Sequence, residues 1–190
     1  MLVYVMGPSG AGKNALLDAV RDVEGVTVAV REVTRPAEPG ERSLSPAEYE
    51  EALAAGRFVL HWRCHGLGYG LGRRELEPLK AGQIVVVNGS RAHLPQALKI
   101  FPDLQPVLIG CRPEELAARL KRRGREDEAG QAERLARAAR RFELPASPPT
   151  AFIDNSGPLE DAAAELRALL RGWLRLGRRS REGAATKDGD

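Results

Sequence analysis

Short apolar runs alternate with amphipathic or polar segments along nearly the whole chain. We predict these runs to be β-strands, because they are rich in β-branched residues and end at glycine, proline or polar residues. They lie at residues 2–5, 26–30, 58–62, 84–87, 106–110 and 150–154. The run at 84–87 is the most apolar of them, which is typical of a central parallel strand buried on both faces.

Helix signals occupy most of the intervals between these strands. Ser45 and Glu48 form a capping box with Pro46 at the first helical position, and we expect this helix to end at Gly56. Further helices are predicted at residues 15–20, 73–81, 94–100, 114–123 and 159–174. Strands that alternate with helices predict an α/β fold, with a parallel sheet covered on both faces.

Two polar segments interrupt or follow this alternation. Residues 34–43 contain proline, glycine and charged side chains and are predicted to form a loop. Residues 175–190 are small, polar and charged, and we expect them to form a disordered tail. The 190 residues suit one domain, which we assign to residues 1–174.

A glycine-rich loop joins the first predicted strand to the first predicted helix. Glycines allow its backbone N–H groups to point inward, and the helix start adds the positive end of its dipole. A strand, such a loop, a lysine and a helix form the context of a phosphate-binding P-loop, whose lysine reaches the β- and γ-phosphates of a nucleotide. The alternative is a turn that binds nothing. The candidate nucleotide-binding residues are Gly7, Pro8, Ser9, Gly10, Ala11, Gly12, Lys13 and Asn14.

The residues after Lys13 depart from the P-loop pattern, which requires a hydroxyl that normally binds magnesium. Here the next residues are Asn14 and Ala15. Asparagine can offer a carbonyl oxygen or hold a metal-bound water, so Asn14 is the candidate metal-binding residue. We expect a nucleotide and Mg²⁺ as cofactors, with Lys13 in a catalytic role.

Composition narrows the class of protein. Hydrophobic residues make up 43% and charged residues 29%, which is ordinary for a soluble domain, and a net charge of +3 does not by itself indicate nucleic acid. The two cysteines, Cys64 and Cys111, lack metal-ligand spacing and are predicted to be free thiols in a reducing compartment. Because neither a signal peptide nor a membrane-length apolar run is visible, we expect a cytoplasmic protein without a membrane partner.

Arginines cluster between residues 119 and 141. On its own this segment is typical of a solvated helical hairpin with many salt bridges. Beside a P-loop it also suits a helical lid that excludes water and whose guanidinium groups stabilise charge on a phosphoryl group. No aromatic residues are interleaved, so we expect no binding of nucleic acid. The candidate catalytic arginines are Arg119, Arg123, Arg134 and Arg137, whereas Arg125, Arg140 and Arg141 are expected to be solvated.

The chain resembles the guanylate kinase-like branch of the nucleoside monophosphate kinases and, within it, the ribose 1,5-bisphosphate phosphokinase family. The resemblance covers about residues 2–172, and its most specific motif is VNGSRAHLPQA at 87–97. The other matching motifs are GPSGAGK at 7–13, Thr34-Arg35, Gly40-Glu41, Tyr69-Gly70, RGRE at 123–126 and RLARAAR at 134–140.

This resemblance implies a three-layer P-loop kinase fold with an acceptor-binding insert at about 31–72 and a lid at about 119–141. It implies transfer of phosphate from ATP, with Mg²⁺, to a phosphorylated sugar, ribose 1,5-bisphosphate, by a monomer or homodimer. For His93, a hydrogen bond at a helix start is an equally good interpretation. The candidate substrate-binding residues are Arg35 and Tyr69, for the acceptor phosphate, and Asn88, Ser90, Arg91 and His93, for the sugar hydroxyls or the second phosphate.

The departures from guanylate kinases argue against GMP as the acceptor. Guanylate kinases have a second phosphate-binding arginine where this chain has Glu38, and a guanine-reading glutamate where it has His61, before Trp62. A site without partners for the donors of guanine binds that base poorly. Two alternatives remain: a guanylate or other nucleoside monophosphate kinase, and a catalytically silent phospho-ligand binding module. The family's usual aspartate and hydroxyl residue after the lysine are absent here, which is compatible with the silent module.

Overall fold

The computed structural model describes residues 1–64, 66–123, 135–136, 144 and 148–185. Two β-sheets and the helices that pack on them account for most of these residues. The strands are β1 (Leu2–Met6), β2 (Val26–Val28), β3 (Arg31–Val33), β4 (Glu41–Ser43), β5 (Phe58–Cys64), β6 (Leu67–Gly72), β7 (Ile84–Asn88), β8 (Gln105–Gly110) and β9 (Ala151–Asp154). The α-helices are α1 (Lys13–Asp18), α2 (Pro46–Ala54), α3 (Leu94–Ile100), α4 (Pro113–Arg123) and α5 (Leu159–Ala185), and 3₁₀ helices occupy Arg73–Ala81 and Arg91–His93.

The main sheet is parallel and has the strand order β2-β7-β1-β8-β9. All residues of β1 and β7 are buried, as expected for apolar runs covered on both faces. Val3 and Val5 pack on one face with residues of α1 and α5, whereas Tyr4 packs on the other with Leu94 of α3 and with residues of the second sheet. The predicted three-layer α/β fold with a parallel sheet is therefore confirmed.

The second sheet, with the order β4-β3-β6-β5, corrects the prediction of a single parallel sheet. Strand β3 pairs parallel with β4 and antiparallel with β6, which is also antiparallel to β5. The predicted strand 26–30 ends at Val28, and the predicted loop 34–43 contains β4. Ion pairs accompany apolar burial in β3: Glu32 is buried and pairs with Arg42 and Arg57. Alternation of apolar residues therefore does not reveal β3 and β4, whereas β5 contains the predicted strand 58–62.

The capping box of α2 is confirmed by two reciprocal hydrogen bonds. The backbone N–H of Glu48 donates to Ser45 Oγ (3.2 Å), and the N–H of Ser45 donates to a carboxylate oxygen of Glu48 (2.6 Å). Tyr49 on this helix packs against Phe58 of β5 with ring centroids 5.4 Å apart. These contacts attach α2 to the second sheet, and both lie within residues 31–72, which the sequence predicts to be an acceptor-binding insert.

The last helix is longer than predicted. Helix α5 continues from Leu159 to Ala185, so the expected disorder over residues 175–185 is wrong. These residues include arginine, glutamate and alanine, which favour helix, and no proline stops them. Residues 186–190, and most of the predicted lid at 119–141, lie outside the described residues.

Candidate active site

The P-loop wraps around the side chain of Lys13, the first residue of α1. The Lys13 ammonium group donates to the carbonyl oxygens of Gly7 and Pro8, both at 2.9 Å. Gly12 has φ of 86°, a value that favours glycine, and a Cβ atom there would overlap the side-chain amide of Asn155. The loop between β1 and α1 thus has the curled backbone that phosphate binding requires.

Asn155 attaches the P-loop to the end of β9 and was missed by the sequence analysis. Its side-chain N–H donates to the Ala11 carbonyl at 2.7 Å, and its backbone N–H donates to the Gly110 carbonyl at 2.9 Å. The side chain is almost fully buried, and its oxygen accepts no hydrogen bond from the described residues. Its place directly after a predicted strand, at the edge of the sheet that carries the P-loop, is the signal that could have indicated it.

Asn14 connects the P-loop with two other parts of the site. The Asn88 side-chain N–H donates to Asn14 Oδ1 at 2.7 Å, and the Asn14 side-chain N–H donates to a carboxylate oxygen of Glu38 at 2.9 Å. The predicted residues Asn14 and Asn88 are therefore in contact. Glu38, identified from the sequence only as a departure from guanylate kinases, joins them from the loop before β4.

A buried carboxylate organises the arginines near this contact. The Glu41 side chain is only 3% exposed and pairs with both Arg31 and Arg35, with Arg35 bound through both terminal nitrogens at 2.9 and 3.0 Å. Arg31 also donates to the backbone carbonyl of Asn88 at 3.0 Å. Arg35, the predicted phosphate ligand, thus lies beside the P-loop contact. Arg31 was missed, although a charged residue directly after a β-branched run was visible.

Three rings and Arg31 form a column between the second sheet and the end of β7. Trp62 stacks on Tyr69, with centroids 5.5 Å apart, and on His93, with centroids 5.1 Å apart. The Arg31 guanidinium carbon lies 4.7 Å from the centroid of Tyr69, within reach of a cation–π interaction. The predicted substrate residues Tyr69 and His93 are therefore joined through Trp62.

Tyr4 supports the residues that follow β7. The Ser90 backbone N–H donates to the Tyr4 hydroxyl at 2.9 Å, and that hydroxyl lies 3.2 Å from the Ser90 carbonyl and 3.3 Å from His93 Nδ1. His93 is the N-cap residue of α3, but its side chain makes no cap hydrogen bond to that helix and lies beside the Tyr4 hydroxyl instead. Burial raises the pKa of Tyr4, and burial also lowers the pKa of the partly buried Arg91.

Arg119 is the candidate catalytic arginine whose side chain the structure describes. Its Nε donates to Glu115 at 2.8 Å, and a terminal nitrogen lies 3.5 Å from the position that a Cβ atom would occupy at Gly12. Arg119 therefore borders the P-loop. The side chain of Arg123, and all of Arg125, Arg134, Arg137, Arg140 and Arg141, lie outside the described residues.

Curated relatives cover nearly all of this chain, although no family model matches it. Ribose 1,5-bisphosphate phosphokinase PhnN of Pantoea vagans is 42% identical over 175 residues, which cover 89% of this chain and 96% of that protein. The protein of the same name from Chromobacterium violaceum is 47% identical, covering 94% of this chain and 95% of that protein. The chain belongs to the PhnN family. It spans only 42% of a longer relative of the same name from Laribacter hongkongensis, to which it is 47% identical.

Solved structures agree with the fold of this PhnN-family chain. Guanylate kinase from Anaplasma phagocytophilum superimposes with a TM-score of 0.66 at 20% identity, covering 92% of this chain and 86% of that one. A gluconokinase from Sinorhizobium meliloti gives a TM-score of 0.52, also at 20% identity, with 95% of each chain covered. At these identities the likeness shows the P-loop kinase fold alone. In the part of this PhnN-family chain that the structure describes, no helix combines the length and apolarity needed to span a membrane.

The titration of His93 gives a test of the geometry in this PhnN-family site. Burial, together with the nearby His61 charge, lowers the pKa of His93 from 6.5 to about 4. Between these pH values the unfolded chain binds a proton that the folded protein excludes, so stability falls as the pH falls from 6.5 towards 4. Urea unfolding across this range should show a smaller loss of stability in His93→Gln than in wild type. A constant difference between the two proteins at every pH would contradict the described environment of His93.

Proposed function

We propose that the chain transfers the γ-phosphoryl group of ATP to the 1-phosphate of ribose 1,5-bisphosphate, which gives ADP and 5-phosphoribosyl 1-diphosphate. One contact carries the proposal: Asn88, at the start of the family-specific run 87–97, donates to Asn14 of the P-loop at 2.7 Å. A residue that is predicted to bind the acceptor thus contacts the loop that is predicted to bind the donor. The relatives named for this activity, 42% and 47% identical over most of the chain, support the same assignment.

The donor phosphates would be held by the P-loop backbone from Gly7 to Asn14. Lys13 is expected to leave its two carbonyl partners in the loop and contact the β- and γ-phosphates. Arg119 borders the same loop and would stabilise the charge on the transferred group, together with Arg123, Arg134 and Arg137. These residues act by positioning and by charge neutralisation.

The reaction requires no strong general base. An oxygen of the sugar 1-phosphate, already anionic at neutral pH, forms a bond to the γ-phosphorus as the bond from that phosphorus to the ADP oxygen breaks. The pKa of about 4 keeps His93 neutral under these conditions, which suits a hydrogen-bonding role better than proton removal.

The acceptor would lie between the second sheet and the carboxyl end of β7. Arg35 and Arg91 offer guanidinium groups for its two phosphates, and such groups bind phosphate through paired hydrogen bonds. The sugar hydroxyls and the remaining phosphate oxygens would then form hydrogen bonds with Asn88, Ser90, His93 and Tyr69. The ring column of Tyr69, Trp62 and His93 lies beside these polar groups and fixes the positions of two of them.

The oxygen donors at Asn14 and Asn88 suit Mg²⁺ or its bound waters. An amide oxygen can accept two hydrogen bonds, and the buried Asn88 Oδ1 accepts none from the described residues. Magnesium prefers such hard oxygen ligands and keeps several waters. Held there by Asn14 and Asn88, the ion would supply positive charge that offsets the negative charge of the nucleotide phosphates.

An assay of ADP release with ATP and Mg²⁺ tests the proposal. Ribose 1,5-bisphosphate, GMP and no acceptor are compared, and the product is identified by phosphorus NMR. We expect turnover with the sugar bisphosphate alone. Turnover with GMP would favour a guanylate kinase, because the acceptor site would then accept a purine nucleotide. Nucleotide binding without turnover on any acceptor would favour a silent binding module.

A further inference from the structure

The P-loop of this chain has no carboxylate or hydroxyl at the two positions after Lys13, which are Asn14 and Ala15. The carboxylate that contacts Asn14 comes instead from Glu38, 2.9 Å from the Asn14 side-chain nitrogen. Glu38 belongs to the insert that precedes β4, and its side chain is 18% exposed. A negative charge thus lies directly against the start of α1, where polyanionic phosphates are expected to bind.

The loop that carries Glu38 is held in place by the buried carboxylate of Glu41. The backbone N–H of Glu38 donates to Glu41 at 3.0 Å, and Arg35, which pairs with Glu41, also approaches Glu38 to 4.0 Å. The Glu38 carboxylate is therefore positioned by the folded insert. Asp18, another carboxylate of this region, lies further along α1 and is paired with Arg21 at 2.9 Å.

A second observation points to a cation at this place. Asn88 is only 8% exposed, and its side-chain oxygen is buried without a hydrogen bond from the described residues, although its side-chain nitrogen binds Asn14. A buried amide oxygen of this kind requires a donor or a cation. Two hydrogen bonds join Glu38, Asn14 and Asn88, so that one carboxylate and two side-chain amides lie in a connected group beside the start of α1.

We propose that Glu38 provides the carboxylate that holds the Mg²⁺ of the bound nucleotide, directly or through a metal-bound water. A carboxylate beside the phosphates repels them unless a divalent cation lies between the two. Asn14 orients Glu38 through its amide nitrogen, and Asn88 orients Asn14. The inference rests on the proposed function only in so far as the site binds a magnesium nucleotide, and it does not depend on the acceptor.

The test compares nucleotide affinity with and without the metal. Isothermal titration calorimetry measures the dissociation constant of ATP in excess Mg²⁺ and in EDTA, for wild type and for Glu38→Gln. We expect Glu38→Gln to weaken binding in Mg²⁺ by about 10-fold, within the range seen when residues around a metal are changed. The same variant should bind ATP as well or better in EDTA, because a repulsive charge is gone. A purely structural role would weaken both affinities together.

A charge swap and a surface control complete the test. The double variant Asn14→Asp/Glu38→Gln moves the carboxylate to the other side of the same contact and should recover most of the gain in affinity that Mg²⁺ gives. Glu50→Gln, which removes a surface carboxylate paired with Arg63, should match wild type. The proposal is overturned if wild type gains no affinity from Mg²⁺, if Glu38→Gln keeps the full gain, or if the swap restores nothing.

The calorimetric test of Glu38 is independent of the proposed phosphoryl transfer, because no acceptor is present in the titrations. A protein that binds magnesium nucleotide through Glu38 but does not phosphorylate ribose 1,5-bisphosphate would refute the proposed function alone. A protein that makes 5-phosphoribosyl 1-diphosphate, but whose Mg²⁺-dependent affinity is unchanged in Glu38→Gln, would refute the role of Glu38 alone.

Discussion

Replacement of Lys13 by alanine is expected to lower kcat for phosphoryl transfer by about 10³-fold, the scale seen when one preorganised charge-stabilising group is removed. Lys13 is the first residue of α1, and its ammonium group already lies within the P-loop, 2.9 Å from two of its carbonyl oxygens. The cation thus lies inside the loop, from which it is expected to reach the charge that develops on the transferred group. The measurement is the steady-state rate of ADP release with ribose 1,5-bisphosphate at saturating ATP and Mg²⁺.

Loss of the Lys13 contacts inside the loop must be separated from loss of the charge. Thermal unfolding of Lys13→Ala and of a Lys13→Met variant, which keeps most of the side-chain volume, reports whether the loop stays folded. Lys99, an exposed lysine on α3, provides the matched control, and Lys99→Ala should keep the wild-type rate. A rate within about 10-fold of wild type for a well-folded Lys13→Met would contradict the assigned role of Lys13.

Replacement of Glu41 by glutamine is expected to reduce the free energy of unfolding by about 3 kcal/mol, as for other buried ion pairs that lose one partner. Glu41 is 3% exposed, and Arg31, one of its two arginine partners, is 11% exposed. Glutamine keeps the shape of the side chain but leaves the Arg31 charge buried without a counter-ion. Urea unfolding followed by circular dichroism measures the change.

The pair of Glu50 and Arg63 serves as the control for this effect. Both side chains are more than half exposed, so Glu50→Gln should change stability by less than about 1 kcal/mol. Equal effects at Glu41 and Glu50 would show that the Glu41 cluster does not stabilise the fold through its burial.

The elements with continuous apolar patterns were predictable from the sequence. Strand β1 and residues 84–87 of β7 are runs of apolar or aromatic residues, because neighbouring elements cover both faces of these strands, and the resulting pattern is unambiguous. The capping box at Ser45 and Glu48 was equally visible, since it depends on residues three positions apart. The P-loop belongs to the same class of local signals.

The missed features depend on contacts between distant residues. Strand β3 begins with Arg31 and Glu32, whose charges are satisfied by Glu41, Arg42 and Arg57 elsewhere in the insert. No local pattern marks such a strand. Glu38 and Asn155 reach the P-loop only after the insert and β9 have packed, so spacing along the chain could not show that they meet it.

The position of β1 between β7 and β8 affects how the protein is made. Leu2 pairs with Val85 of β7, and Val3 pairs with Gln105 of β8. Strand β1 therefore cannot pair with either neighbour until β7, the nearer of the two along the chain, has been synthesised. Pairings of such long sequence separation form slowly. On the ribosome, this apolar strand would therefore emerge before both of its partners and remain exposed to other chains, which makes the nascent protein a candidate client for chaperones.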